Sequence, residues 1–211
     1  MEQHIAILMA DLSGYTALTE THGAGSAADL IEKYIHIAEN CLVGNSKIHE
    51  RTGDELMFIA DNPDDLLATA LRLEANTGKE EHFLQVHGGL HFGNVLKRGD
   101  HYFGTTINMV SRIAAKAMAG TFWCSDEFVH SVSDKTPGRF TSKGMHHFKN
   151  IHGEKEVFEI NINKRTKYID PVCRMVIQDQ QMAIYHPGIT DQYFCSSQCL
   201  QIFKESQPFT C

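Results

Sequence analysis

The chain has 211 residues, of which 42% are hydrophobic and 21% charged, with 16 glycines and 5 prolines. Such a composition is that of a globular protein with a real core and excludes disordered, collagenous and fibrous classes. A formal net charge of −7 argues against broad binding to a phosphate backbone, which needs clustered lysine and arginine, so no nucleic-acid partner is expected.

Apolar runs are short, as in Ile5 to Ala10, far below the roughly 18 to 20 residues that cross a bilayer. No membrane partner is expected. Met1-Glu2-Gln3-His4 has no basic region ahead of an apolar one, so the expected compartment is the cytoplasm. Of the six cysteines (41, 124, 173, 195, 199 and 211), four fall in the last 39 residues. In this setting clustered thiols read as metal or redox groups rather than a disulfide framework. The asymmetry predicts two units: residues 1–163, a charged break at 164–167 (Lys164-Arg165-Thr166-Lys167), and a small module at 168–211.

In chain order, His4 to Ala10 reads as a buried strand ending at the turn Asp11-Leu12-Ser13-Gly14-Tyr15-Thr16. Ser26 to Leu42 carries apolar residues at helical spacing. Lys47 to Glu50 and Leu56 to Ala60 form a hairpin about Gly53-Asp54. Asn62-Pro63-Asp64-Asp65 starts a helix with its acids at the positive end of the dipole. Phe83 to Asn94 alternates as a strand, and Val95 to Arg98 is expected to pair back on it. Gly104 to Ala119 has one apolar stripe and Gly120 as its stop. Phe122-Trp123-Cys124 and the alternation Phe158, Ile160, Ile162 supply two further strands. This order suits an α+β, ferredoxin-like sheet with helices on one face.

Asp11 and Asp54 both sit at strand ends. If those strands are neighbours, the two carboxylates converge on a hard-oxygen site suited to Mg²⁺ or Mn²⁺. Taken singly, each aspartate is an ordinary turn residue. Asn108 and Arg112, four apart on one helix, share a face, where an amide and a permanent cation suit a ribose and a phosphoryl group.

Asp11-Leu12-Ser13-Gly14-Tyr15-Thr16, Thr52-Gly53-Asp54-Glu55-Leu56-Met57, Gly88-Gly89-Leu90-His91-Phe92-Gly93 and Tyr102-Phe103-Gly104 to Asn108 and Arg112 together resemble a class III nucleotide cyclase homology domain over residues 4–163. The resemblance implies a head-to-tail homodimer with active sites across the interface. It implies two divalent ions held by Asp11, Asp54 and the Leu12 carbonyl, which activate the 3′-hydroxyl of a purine nucleoside triphosphate and neutralise the departing pyrophosphate. Asn108 would orient the ribose from the partner subunit, Arg112 would stabilise the transition state, and Lys149 is the triphosphate-lysine candidate. Backbone amides of the Leu12 to Thr16 turn, including Gly14 and Thr16, suit phosphate. At the family's base-reading positions stand Glu50, which leans toward GTP because a carboxylate accepts from two guanine donors, and His101, which leaves ATP open.

In the C-terminal unit, Cys173, Cys195 and Cys199 suit a soft or borderline ion such as Zn²⁺ or Cu⁺, with His186, Cys211 or an external group as a fourth ligand. Cys199 is expected in the first turn of a helix over 196–203. Asp170-Pro171-Val172-Cys173-Arg174-Met175, Tyr193-Phe194-Cys195-Ser196-Ser197-Gln198-Cys199 and Phe203 resemble a YHS domain, departing at Arg174, where that family usually has glycine. The resemblance implies metal binding. Two rivals to a metal-tuned cyclase are a catalytically silent dimer acting as a metal sensor or carrier, and a zinc staple without influence on the first unit.

Overall fold

The structure, a computed structural model, describes residues 1–133, 139–162, 168–189 and 191–206. The expected break at Lys164-Arg165-Thr166-Lys167 and the ligand candidate Cys211 lie outside the described residues.

The first unit runs β1 (Glu2–Ser13), α1 (Tyr15–Asn40), β2 (Lys47–Thr52), β3 (Glu55–Ala60), α2 (Pro63–Thr77), β4 (Gln85–Arg98), β5 (His101–Phe103), α3 (Thr105–Ala114), β6 (Phe122–Ser125), α4 (Asp126–Ser131), β7 (Phe140–His147) and β8 (Glu154–Ile160). Its sheet has the order β2-β3-β1-β4-β6-β8-β7, with β5 paired to β4. Central β1 is antiparallel to both β3 and β4. Its even positions, Ala6, Leu8, Ala10 and Leu12, join a core with α1 and α2, whereas Ile5, Ile7 and Met9 join a second core with Val110 and Ala114 of α3. A strand covered on both faces reads as a continuous apolar run, which is why Ile5 to Ala10 shows no alternation.

Helices therefore cover both faces of the sheet, not one. The crossing of α3 over β4 depends on Gly89, where an added Cβ would stand 2.4 Å from the Ala114 amide nitrogen and 2.7 Å from the Val110 carbonyl oxygen. Glycine in Gly88-Gly89 thus serves the seating of the helix that carries Asn108 and Arg112.

Several boundaries differ from expectation. β1 spans Glu2–Ser13 rather than His4 to Ala10, so Asp11 stands in the strand and the turn begins only at Gly14, because Asp11 to Ser13 continue the ladder with β4. α1 begins at Tyr15, well ahead of Ser26, because its first segment continues from the Gly14 turn and breaks only at Gly23 (φ 82°). Val95 to Arg98 does not fold back; β4 continues through it, and β5 returns instead across Gly99-Asp100, pairing Arg98 with His101. A two-residue turn with glycine at positive φ favours that hairpin. α3 stops at Ala114 rather than Ala119, and turns follow it to Gly120. By contrast α2 begins as anticipated, with Asn62 Oδ1 accepting the Asp64 amide at 3.0 Å and Pro63 in the first turn.

The C-terminal module is small: β9 (Tyr168–Ile169), β10 (Val176–Ile177), a 3₁₀ turn at Gln180–Met182, β11 (Ile184–Tyr185), β12 (Tyr193–Phe194) and α5 (Ser197–Ser206). Two-stranded ribbons of this length are marginal by themselves. The module docks on the first unit: the Val176 amide donates to the Phe83 carbonyl at 2.7 Å, and the Gln178 amide donates to the Glu81 carboxylate at 3.0 Å. Met175 packs against the main core.

Candidate active site and thiol cluster

The Gly53-Asp54 turn has Gly53 at φ 63°, and Arg51 Nε closes it by donating to the Gly53 carbonyl at 2.9 Å. Pairing of Ala10 with Leu56 across β1 and β3 then brings Asp54 beside Asp11, which lies in β1 two residues before its end. The two carboxyls lie close enough for each to bear on the other's ionisation. Burial, followed by the negative charge of Asp11, pushes Asp54 up to about 6. Burial also raises Asp11, against the pull of Asp54 and the Leu12 backbone amide. Glu55, raised chiefly by burial and then by Asp54, adds a third acid.

Oδ1 of Asp11 is buried and has no hydrogen-bond partner among the described residues. An uncompensated carboxylate oxygen beside a second half-buried carboxylate is costly unless a cation or proton accompanies it. All-oxygen donors of this kind fit Mg²⁺ or Mn²⁺. His87, which lies opposite Asp11 in the β1–β4 register, was not singled out from sequence; its Nδ1 is 2.9 Å from Ser13 Oγ. Burial holds His87 below the usual imidazole range. Strand alternation in Gln85 to Gly93 was the signal that would have found it.

Beside the acids lies a pocket lined by Met9, Glu50, Glu55, His101, Tyr102 and Ile107, among others. A register shift between Ile48 and Glu50 marks a bulge at His49, whose ring meets Tyr102 edge-on at 4.8 Å. The two base-reading candidates, far apart in sequence, thus share one pocket. Leu12 is buried, Gly14 precedes α1 at φ 97°, and Thr16 is exposed in the first turn of α1.

Asn108 and Arg112 lie on the exposed side of α3, away from Val110 and Ile113. Among the described residues Arg112 forms no ion pair and Asn108 no side-chain hydrogen bond. Lys149 is exposed in the turn between β7 and β8, at the opposite edge of the sheet from Asp54. Of the neighbouring histidines, His147 is exposed and His146 is half-buried against Trp123 and Phe148.

In the module, Cys173, Cys195 and Cys199 do come together: Sγ of Cys195 is 3.4 Å from that of Cys173 and 3.6 Å from that of Cys199. Cys199 occupies the first turn of α5, its amide donating to Ser196 Oγ at 3.2 Å. Hydrogen bonds from Cys173 and Cys195 pull the Cys199 thiol down to about 2, while Cys173 is pushed up to about 12. Asp170, fully buried and also missed from sequence, ties the two thiol loops together by accepting the amides of Val172, Cys173 and Cys195 at 2.8, 3.2 and 2.7 Å. His186 does not join the sulfurs. Its ring packs on Phe203 and its Nδ1 accepts the Gly188 amide. The imidazole that does join them is His22, from α1.

No protein-family profile matches the chain. It is similar to an adenylate cyclase of Glutamicibacter nicotianae, with 32% identity over 117 residues, covering 55% of this chain and 29% of that protein. It is 27% identical over 165 residues to an uncharacterised protein of Mycobacterium tuberculosis, covering 76% of this chain and 42% of that one. The chain thus spans less than half the length of these curated relatives. Among solved structures it superimposes on adenylate cyclases from Trypanosoma brucei with a TM-score of 0.70 at 16% identity, covering 78% of this chain and 91% of that one. The first unit therefore has the mixed α+β fold of nucleotide cyclase catalytic domains.

Proposed function

We propose that the first unit is a nucleotide cyclase acting on a purine nucleoside triphosphate, with a lean to GTP from Glu50, at a site completed by a second copy of the chain. The observation that carries this reading is the convergence of two half-buried carboxylates, Asp11 and Asp54, with a partnerless buried oxygen. Asp11, Asp54 and the Leu12 carbonyl would hold divalent ions, which when bound would acidify the 3′-hydroxyl and offset phosphoryl charge. The 3′-oxygen attacks the α-phosphorus in line, the bond to the β-phosphate oxygen breaks, and pyrophosphate leaves. Glu50 and His101 orient the base, while amides of the Leu12 to Thr16 turn cradle phosphate. Asn108 and Arg112 of the second copy align the ribose and neutralise charge developing at phosphorus, and Lys149 of that second copy meets the triphosphate.

One observation supports the dimer: Asn108 and Arg112 are exposed and uncommitted while Ile107, next to Asn108 on α3, lines the pocket. We further propose that metal at the C-terminal thiols tunes this activity and that the protein works in the cytoplasm; among the described residues no helix is long and apolar enough to cross a membrane.

Incubation of the purified chain with GTP or ATP and Mn²⁺ tests the enzyme. Cyclic nucleotide and pyrophosphate in equal amounts are expected. Absence of product with both purines would leave a silent metal-sensing dimer as the better reading.

A further inference from the structure

We infer that His22, on the first helix of the cyclase-like unit, is the fourth ligand of a closed Cys₃His zinc site with Cys173, Cys195 and Cys199, so that the metal fastens the two units together. The ligand set stands independently of the cyclase reading. Only its influence on turnover rests on that reading.

The four donor atoms lie within 4.8 Å of one another. His22 Nε2 is 3.8 Å from Cys195 Sγ and 3.6 Å from Cys199 Sγ, and Cys195 Sγ is 3.4 Å from Cys173 Sγ and 3.6 Å from Cys199 Sγ. A tetrahedron built with Zn–S near 2.3 Å and Zn–N near 2.0 Å has edges of about 3.8 Å between sulfurs and about 3.5 Å between sulfur and nitrogen. The donors thus already stand close to the corners such an ion requires. Three thiolates and one imidazole also form a recognised structural zinc set, whereas the absence of carboxylate donors disfavours hard ions.

The bridge has a mechanical consequence. α1 leaves the Asp11 turn at Gly14 and reaches His22 after about two turns, or about 12 Å, just before the break at Gly23. The module grips this segment at both ends. Arg174 lies over Gly14, Gln198 Nε2 donates to the Thr21 carbonyl at 2.8 Å, and the thiols meet His22. A bound ion therefore holds the segment that follows one of the two acidic ligands.

Cobalt(II) added to the full chain after chelation reads the site directly. The wild type is expected to give the intense visible bands of tetrahedral cobalt with sulfur charge transfer. His22→Ala should keep charge transfer but change the visible bands and lose about 100-fold or more in affinity, and His22→Cys should restore tight tetrahedral binding. Circular dichroism of the metal-free variants checks that each is folded. Zinc should also slow hydrogen exchange over residues 15–22 in the wild type, and not in His22→Ala. Asp54→Ala should leave every one of these readouts unchanged, which separates this site from the nucleotide site. An unaltered cobalt spectrum and affinity in His22→Ala, or a wild type that never forms a tetrahedral complex, overturns the inference.

Discussion

Arg174 sits against Gly14 so closely that a Cβ on Gly14 would lie 2.5 Å from the Arg174 Cβ. Gly14 is at φ 97° and Arg174 at φ 68°, so both sides of this contact use backbone conformations that suit glycine. The contact joins the module to the turn that follows Asp11. The chain accepts a left-handed arginine here, whose stem fills the space above Gly14.

Gly14→Ala is expected to destabilise the chain by about 2 to 4 kcal/mol, from backbone strain plus overlap with Arg174. Arg174→Gly in the same chain should recover the overlap part but not the strain at Gly14. A double-mutant cycle in urea should therefore give a coupling of about 1 kcal/mol or more. Additive single effects would mean the two residues do not touch.

The raised Asp54 predicts an inverse pH dependence in the absence of divalent metal. Its carboxyl is at about 6 when folded against 3.8 for the ordinary group. Between those values the folded state keeps a proton that the unfolded chain has already released, so the Asp54 contribution to stability falls as pH rises through the window and is flat above it. Melting curves from pH 3.5 to 7.5, taken as wild type minus Asp54→Asn, should display that fall. Mn²⁺ should erase it near neutrality, and Mn²⁺ affinity should weaken below about pH 6 as protons compete for the site.

Asp54→Ala and Arg112→Ala are each expected to lower kcat by on the order of 10³-fold without loss of helical signal. Mixed in equal amounts and allowed to exchange subunits, they should recover about a quarter of wild-type activity, because half the dimers then hold one intact site. A mixture as inactive as its components would mean that Asp54 and Arg112 serve the same site from the same chain.

Glu50→Lys replaces an acceptor with a donor-only group. The ratio of kcat/KM for GTP over ATP should fall by at least about tenfold, measured with both nucleotides at matched Mn²⁺. His101→Ala should lower kcat/KM for the preferred purine by a smaller factor, since its ring shares the pocket with Glu50.

Zinc loading should raise cyclase turnover, because it pins the segment behind Asp11 in one arrangement. A fivefold or larger effect, on the order of ordinary allosteric coupling, is expected in the wild type and none in His22→Ala. Equal rates with and without zinc at saturated binding would remove the regulatory role.

Local rules carried much of this molecule. Turn chemistry at Gly53-Asp54, the Asn62-Pro63 helix start and the apolar stripe around Val110 and Ile113 are each written within a dozen residues, and each appears where those rules put it. Asp11 and Asp54 were legible for the same reason, as acids directly after an apolar strand run and in a glycine turn, although β1 itself runs on to Ser13. The reach of β4 through Val95 to Arg98 and the side of the sheet covered by α3 were not. They depend on which surfaces find each other after the chain closes, and no periodicity encodes that choice. His22 is the sharpest case. It is 173 residues from Cys195 and 177 from Cys199, and along the chain it looks like any polar residue ahead of a glycine break. It becomes a fourth donor only because Asp170 sets the thiol loops and the docking of β10 on Phe83 carries them to α1.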